Sequence, residues 1–178
     1  MANELSAAVF IDRDGTIIED ADYCSHPKQV KVLPGVPEAL QSLKSRGFKL
    51  IVITNQSGIG RGFFTVDEYR SVESEVARQL GHGLIDATYF CPDVPGQLSK
   101  YRKPSPGMIF EAQREHQIYL ARSFFVGDKE IDAECGRNAS VRTIRVQTGF
   151  DRDTSGSIAD WVAADVPAAV EIILNKIS

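Results

Sequence analysis

A chain of 178 residues, 43% hydrophobic and 25% charged, has globular composition and the size of one domain, about 100–200 residues. Twenty Lys and Arg against 24 Asp and Glu give a net charge of −4, so no general positive field is available to hold a nucleic-acid backbone. The apolar runs, such as 50–53 and 124–126, are far shorter than the roughly 20 residues of a spanning helix, and no basic segment precedes a long apolar stretch at the N-terminus. The expectation is one soluble, cytoplasmic domain over residues 1–178 with no nucleic-acid or membrane partner.

In chain order, short β-type runs alternate with amphipathic stretches: 7–11, 36–46, 48–53, 67–80, 84–90, 106–116, 123–126, 129–138, 141–146 and 167–177. Such alternation predicts an α/β fold with a doubly wound, mostly parallel sheet, whose strands read as continuous apolar runs because helices cover both faces. Val36, Leu40 and Leu43 share a helical face, with Pro37 in the first turn and Gly47 at the end. Thr65 and Glu68 form a capping-box pattern ahead of Tyr69, Val72, Val76 and Leu80. These stripes are read as core. Trp161 reads as packing near the C-terminal end.

Cys24, Cys91 and Cys135 are odd in number and widely separated, which predicts free, buried thiols in a reducing compartment. His26, His82 and His116 form no metal-spaced pair. The longer connections are 17–34, 55–64, 91–105 and 147–160. Ligands of open α/β sheets sit beyond the carboxyl ends of strands, so the first three are expected to carry chemistry.

Asp12-Arg13-Asp14-Gly15-Thr16 places two carboxylates where the first strand must end. Two such charges a few ångströms apart repel by roughly 1 kcal/mol in water and about 4 at an effective dielectric near 20, so a cation between them is expected, Mg²⁺ being the default for phosphate chemistry. Taken alone, Asp-Gly also simply makes turns. After the second strand, Thr54-Asn55-Gln56-Ser57-Gly58 offers a hydroxyl and backbone N–H groups to a phosphoryl oxygen. Its glycines fit neither a dinucleotide fingerprint nor a Walker loop and are equally those of an ordinary loop. In Arg102-Lys103-Pro104 the lysine could neutralise a phosphoryl group, although an isolated Arg-Lys is usually solvated surface. Asp128, after a later strand, could complete the cation site, with Asp132 one turn on to orient it or bond a neighbouring N–H. Acid pair, hydroxyl, lysine and acid, each beyond a different strand on one rim, are the equipment of phosphoryl transfer.

Across Asp12 to Asp132 these motifs resemble those of the haloacid dehalogenase-like superfamily: D-x-D-x-T, a Ser/Thr after the second strand, a Lys, and G-D-x-x-x-D. The runs I-D-R-D-G-T-I, T-N-Q-S-G-I-G-R-G, R-K-P-S-P-G-M and V-G-D-K are similar to those of D-glycero-D-manno-heptose 1,7-bisphosphate 7-phosphatases and related histidinol-phosphatases. The resemblance implies that Asp12 attacks phosphorus and Asp14 serves as general acid and base. It implies Mg²⁺ on Asp12, the Asp14 carbonyl and Asp128, with Thr54 and Lys103 on the phosphoryl oxygens. Substrate contacts are expected from Arg13, Asp20, Ala21, Asp22, Tyr23, Asn55, Gln56, Ser57, Arg61, Arg102 and Lys129. The implied partner is a small phosphorylated sugar, and a monomer is expected. Of the zinc loop common in the heptose enzymes only Cys91 remains, since Asp93 replaces its histidine and Lys100-Tyr101-Arg102 offers no cysteine. One ligand cannot make a tetrahedral site, so no zinc is expected. Neither 17–34 nor 91–105 is long enough for a cap domain, which implies a capless core.

Histidinol phosphate or another sugar phosphate is the alternative substrate. A phosphoryl-accepting receiver module shares the acids, hydroxyl and lysine but lacks the proton shuttle, and its phosphorylated Asp follows a later strand. Lasting phosphorylation of Asp12 without release would favour it, and neither phosphorylation nor turnover would favour a silent scaffold.

Overall fold

The computed structural model describes residues 5–177. Its sheet is built from β1 (Ala8–Ile11), β2 (Lys49–Asn55), β3 (Ala87–Cys91), β4 (Phe124–Gly127), β5 (Arg142–Val146) and β6 (Trp161–Ala163). The order is β3-β2-β1-β4-β5-β6, and every neighbouring pair is parallel. The helices are α1 (Val36–Ser45), α2 (Ser57–Gly60), α3 (Val66–Leu80), α4 (Gly107–His116), α5 (Glu130–Asn138) and α6 (Val166–Ile177).

Period-two alternation along each central strand feeds a separate core on each face of the sheet. Val9, Ile11, Leu50, Val52, Phe124 and Val126 point toward α1, α3 and α6. Ala8, Phe10, Ile51, Ile53 and Phe125 point toward α4 and α5. All eleven are at most 3% exposed, and full burial of one such large apolar side chain stabilises by roughly 1.5–3 kcal/mol. The expected helical stripes are buried: Val36, Leu40 and Leu43 in α1, and Tyr69, Val72, Val76 and Leu80 in α3. The Thr65 hydroxyl accepts the N–H of Glu68 at 3.2 Å, and the Glu68 carboxylate accepts that of Thr65 at 2.7 Å, a reciprocal cap.

Four details differ from the sequence expectation. β6 is a three-residue edge strand, too short to show a period, and Trp161 belongs to it. α2 is a single turn in a glycine-rich segment. α4 begins at Gly107, one residue later than expected, with no side-chain cap, and the nearby Ser105 hydroxyl donates to the Ser99 carbonyl at 2.8 Å. The 147–160 segment reaches the same sheet rim as the other three long connections. Residues 17–34 and 91–105 contain no inserted domain.

β1 lies centrally, with β2 on one side and β4 on the other. The chain reverses its order there, which opens a crevice at the strands' carboxyl ends. Ile11 pairs with both Val52 and Val126, so Asp12 and Asp128 leave adjacent strands side by side.

Candidate active site

Asp12 is 5% and Lys103 3% exposed, and both are held by the ends of the sheet. The Asp12 N–H donates to the Val126 carbonyl at 3.0 Å. Lys103 Nζ lies 2.7 Å from Oδ1 of Asp12 and 2.7 Å from Oδ1 of Asp132, and donates to the Ile53 carbonyl at 3.0 Å. Burial disfavours the ammonium, but the two carboxylates outweigh it and hold Lys103 above the ordinary lysine range. Asn55 fixes the lysine backbone, its Oδ1 accepting the Lys103 N–H at 3.0 Å and its Nδ2 donating to the Lys103 carbonyl at 3.2 Å.

Asp128 receives the Thr16 hydroxyl on Oδ1 at 3.2 Å, while its buried Oδ2 has no hydrogen-bond partner. Burial and the charges of Asp12 and Asp132 push the Asp128 carboxyl up to about 8. Burial also raises Asp132, to about 6, against the pull of Lys103. Oxygen atoms of Asp12, Asp128 and Asp132 all lie within 4.8 Å of one another. Lys103 lies equally close to Asp12 and Asp132, so it balances that pair, and Asp128 is the carboxylate of the three with no lysine or arginine ion pair among the described residues. An orphaned buried oxygen in an all-oxygen, anionic pocket fits a hard divalent ion.

Asp14 sits above this group. Its Oδ2 accepts Gln56 Nε2 at 2.8 Å, and the same nitrogen donates to Thr54 Oγ1 at 2.9 Å. The Lys129 N–H donates to Asp132 Oδ2 at 3.0 Å at the start of α5. Lys129 Nζ lies 3.4 Å from Asp20 Oδ2.

The cavity over the site has a volume of about 330 Å³ and brings together Asp12, Asp14, Asp20, Asp22, Tyr23, Thr54, Asn55, Gln56, Ser57, Arg102, Lys103 and Lys129. Asp22 (φ +47°) and Tyr23 (φ +66°) occupy the left-handed region in succession. Bulky side chains rarely adopt it, and such backbone persists only where the surroundings impose it. Three expected contacts are not on this wall. Arg13 is buried beneath Asp14. Ala21 packs against the core, as its methyl group dictates. Arg61 is exposed at the end of α2. Asn55 lines the cavity, but its amide is bound to the Lys103 backbone. Of the two roles expected for Asp132, it takes the bond to a neighbouring N–H, that of Lys129, and its other oxygen lies beside Lys103.

Thr148, Gly149 and Phe150 were missed by the sequence expectation. Thr148 Oγ1 donates to the Gly15 carbonyl at 2.6 Å, and Phe150 is an exposed ring on the cavity wall. The signal for them was available: their segment follows β5, a strand of the same parallel sheet, so the carboxyl-end rule applies equally. Cys24 and Cys91, with Cys135, are buried free thiols.

The sequence pattern of the haloacid dehalogenase-like hydrolases matches residues 12–146, and the chain belongs to that family. It is a phosphatase-type member. The D-glycero-beta-D-manno-heptose-1,7-bisphosphate 7-phosphatase of Helicobacter pylori is 42% identical over 139 residues, covering 76% of this chain and 79% of its own. The enzyme of the same name from Yersinia pestis is 38% identical over 178 residues, covering 92% and 95%. The crystal structure of D,D-heptose 1,7-bisphosphate phosphatase from B. bronchiseptica, complexed with magnesium and phosphate, superposes with a TM-score of 0.88 at 30% identity. That superposition covers 96% of this chain and 99% of the other.

Proposed function

We propose that the protein hydrolyses phosphomonoesters of small sugars with Mg²⁺, and that its substrate is D-glycero-D-manno-heptose 1,7-bisphosphate, cleaved at the 7-phosphate. The observation that carries the mechanism is the buried Asp12, charge-paired to Lys103 on one side and adjacent to the unpaired Asp128 oxygen on the other. The named activity of the two relatives and of the B. bronchiseptica structure supports the substrate.

Mg²⁺ would be held by Asp12, Asp128 and the Asp14 carbonyl, and when bound it neutralises charge shared by the carboxylates and the phosphoryl oxygens. Asp12 attacks phosphorus, forming an aspartyl-phosphate as the P–O bond to the sugar breaks. Asp14 gives its proton to the departing sugar oxygen, then takes one from the water that attacks the aspartyl-phosphate, a role contributing about 10²–10⁴-fold. Thr54 Oγ1 and Lys103 Nζ donate to the phosphoryl oxygens, and a fixed donor of this kind contributes about 2.7–4 kcal/mol in comparable sites. Arg102 and Lys129, on the cavity wall, receive the second phosphate or sugar hydroxyls.

The cation set excludes Cys91, whose Sγ lies 3.8 Å from Ser99 Oγ; we propose that the 91–105 loop works without zinc. Among the described residues no helix is long and apolar enough to cross a membrane, and a cytoplasmic, monomeric, one-domain enzyme is the matching proposal. The test is kcat/KM with Mg²⁺ for the heptose bisphosphate, histidinol phosphate and a sugar-phosphate panel, with phosphorus NMR identifying the phosphate lost. A lead for the heptose bisphosphate with loss of the 7-phosphate is expected. A lead for any other phosphate contradicts the substrate assignment.

A further inference from the structure

Arg13 stands between two active-site residues in sequence, yet it is 2% exposed and faces the core. A guanidinium stays charged at any working pH, so a buried one needs an anion. The carboxyl of Asp14 meets it: Nη2 lies 3.0 Å from its Oδ1, and Nε lies 3.2 Å from its Oδ2, a fork the carboxyl accepts both when ionised and when Oδ1 carries the transferred proton in its remaining direction. Beneath the fork is the buried ring of Tyr69, whose centroid is 5.4 Å from the guanidinium carbon, on a helix whose stripe anchors it in the core. Arg13 Nη1 is buried with no partner, so one N–H-bearing nitrogen stays unsatisfied while the other two engage Asp14. On the opposite edge, Gln56 ties Asp14 Oδ2 to the Thr54 hydroxyl.

A carboxylate has about four lone-pair directions. The fork occupies one on each oxygen and Gln56 a second on Oδ2, which leaves a direction of Oδ1 for substrate. We propose that Arg13 is a positioning residue for proton transfer: its bidentate fork, braced on Tyr69, fixes the Asp14 carboxyl plane so that Oδ1 faces the leaving oxygen and then the attacking water. The inference rests on the reading of Asp14 as the proton-transfer group. Arg13 touches neither substrate nor ion and acts only through Asp14. Lysine at this position keeps a charge but loses the planar fork.

The test compares kcat/KM for the sugar phosphate, whose alkoxide must be protonated as it leaves, with kcat/KM for p-nitrophenyl phosphate, whose phenolate leaves unaided. Both values report events only through phosphoryl transfer, and their ratio in one preparation cancels any loss of folded protein. Arg13→Lys is expected to lower the sugar-phosphate value about 10–100-fold and the aryl value by less than about 3-fold, a pattern of lost acid assistance. In an Asp14→Asn background, Arg13→Lys is expected to add nothing further. Tyr69→Leu, which removes the brace and keeps both charges, is expected to move the ratio in the same direction and serves if Arg13→Lys does not fold. Equal losses on both esters, no loss on either, or an undiminished Arg13→Lys effect in the Asp14→Asn background overturns the proposal. An Asp14→Asn enzyme that does not discriminate between the esters removes the underlying reading of Asp14 instead.

Discussion

Gly149 abuts Asp128: a β-carbon at position 149 would lie 1.9 Å from Oδ2 of the aspartate. That oxygen is the one without a hydrogen-bond partner. Any side chain at 149 must therefore displace the atom assigned to the cation. Thr148 holds the same loop to the Gly15 carbonyl, and Arg145 Nε donates to the Asp128 carbonyl at 3.2 Å, so both backbones are tied and the shift falls on the carboxylate.

Gly149→Ala is accordingly expected to weaken Mg²⁺ activation by about 10–100-fold, the range seen when a ligand's supporting contacts are lost. KM for substrate at saturating metal should change little. Titrating activity against Mg²⁺ checks this, and an unchanged activation curve would show that Asp128 does not hold the ion.

Protons and Mg²⁺ compete at Asp128. Its folded-state value of about 8 lies above the roughly 3.9 of an unfolded aspartate, so the folded metal-free protein binds the extra proton between these values. The stability contribution is complete below the unfolded value and is lost as pH rises toward 8. A bound cation favours the ionised form, so Mg²⁺ should raise Tm more at pH 8 than at pH 6. Asp128→Asn, neutral at every pH, should abolish both the Mg²⁺ shift and this part of the pH dependence, at about 2–4 °C per kcal/mol for a chain of this size. Thermal melts at the two pH values with and without Mg²⁺ decide it; an identical Mg²⁺ shift in the variant would exclude Asp128 as a ligand.

Ser99 organises the loop that carries Arg102. Its Oγ accepts the N–H groups of Tyr101 at 3.2 Å and Arg102 at 2.9 Å, and Arg102 Nη1 donates to the Asp93 carbonyl at 2.8 Å. Ser99→Ala should raise substrate KM about 3–10-fold with kcat held within about twofold, the signature of lost uniform binding. Arg102→Ala should cost less in that background than alone. Additive effects in this double-mutant cycle would mean that Ser99 does not act through Arg102.

The sheet and its catalytic rim were legible because their signals are local. Phe10-Ile11-Asp12 states both an apolar strand and its end, and Lys103 and Asp128 follow motifs of fixed spacing. The burial of Arg13 was not legible because the chain turns there, its carbonyl accepting the N–H groups of Thr16, Ile17 and Ile18, and the ring that receives its guanidinium is 56 positions away in α3. Phe150 and Gly149 were missed for a related reason. The segment's place after a parallel strand pointed to the rim, but nothing in its sequence says that a missing β-carbon and an exposed ring are what the site requires of it. The Asp132 pairing with Lys103 arises where the first turn of α5 meets the 91–105 loop, and no spacing encodes it.

The most direct test of the central claim is phosphate release from D-glycero-D-manno-heptose 1,7-bisphosphate with Mg²⁺ by the natural enzyme and by Asp12→Asn, side by side. Turnover by the first and a rate at least about 10³-fold lower in the second is predicted, because an amide cannot serve as the nucleophile that forms the aspartyl-phosphate. Comparable rates in the two proteins, or no release by either while both are folded, would contradict the account.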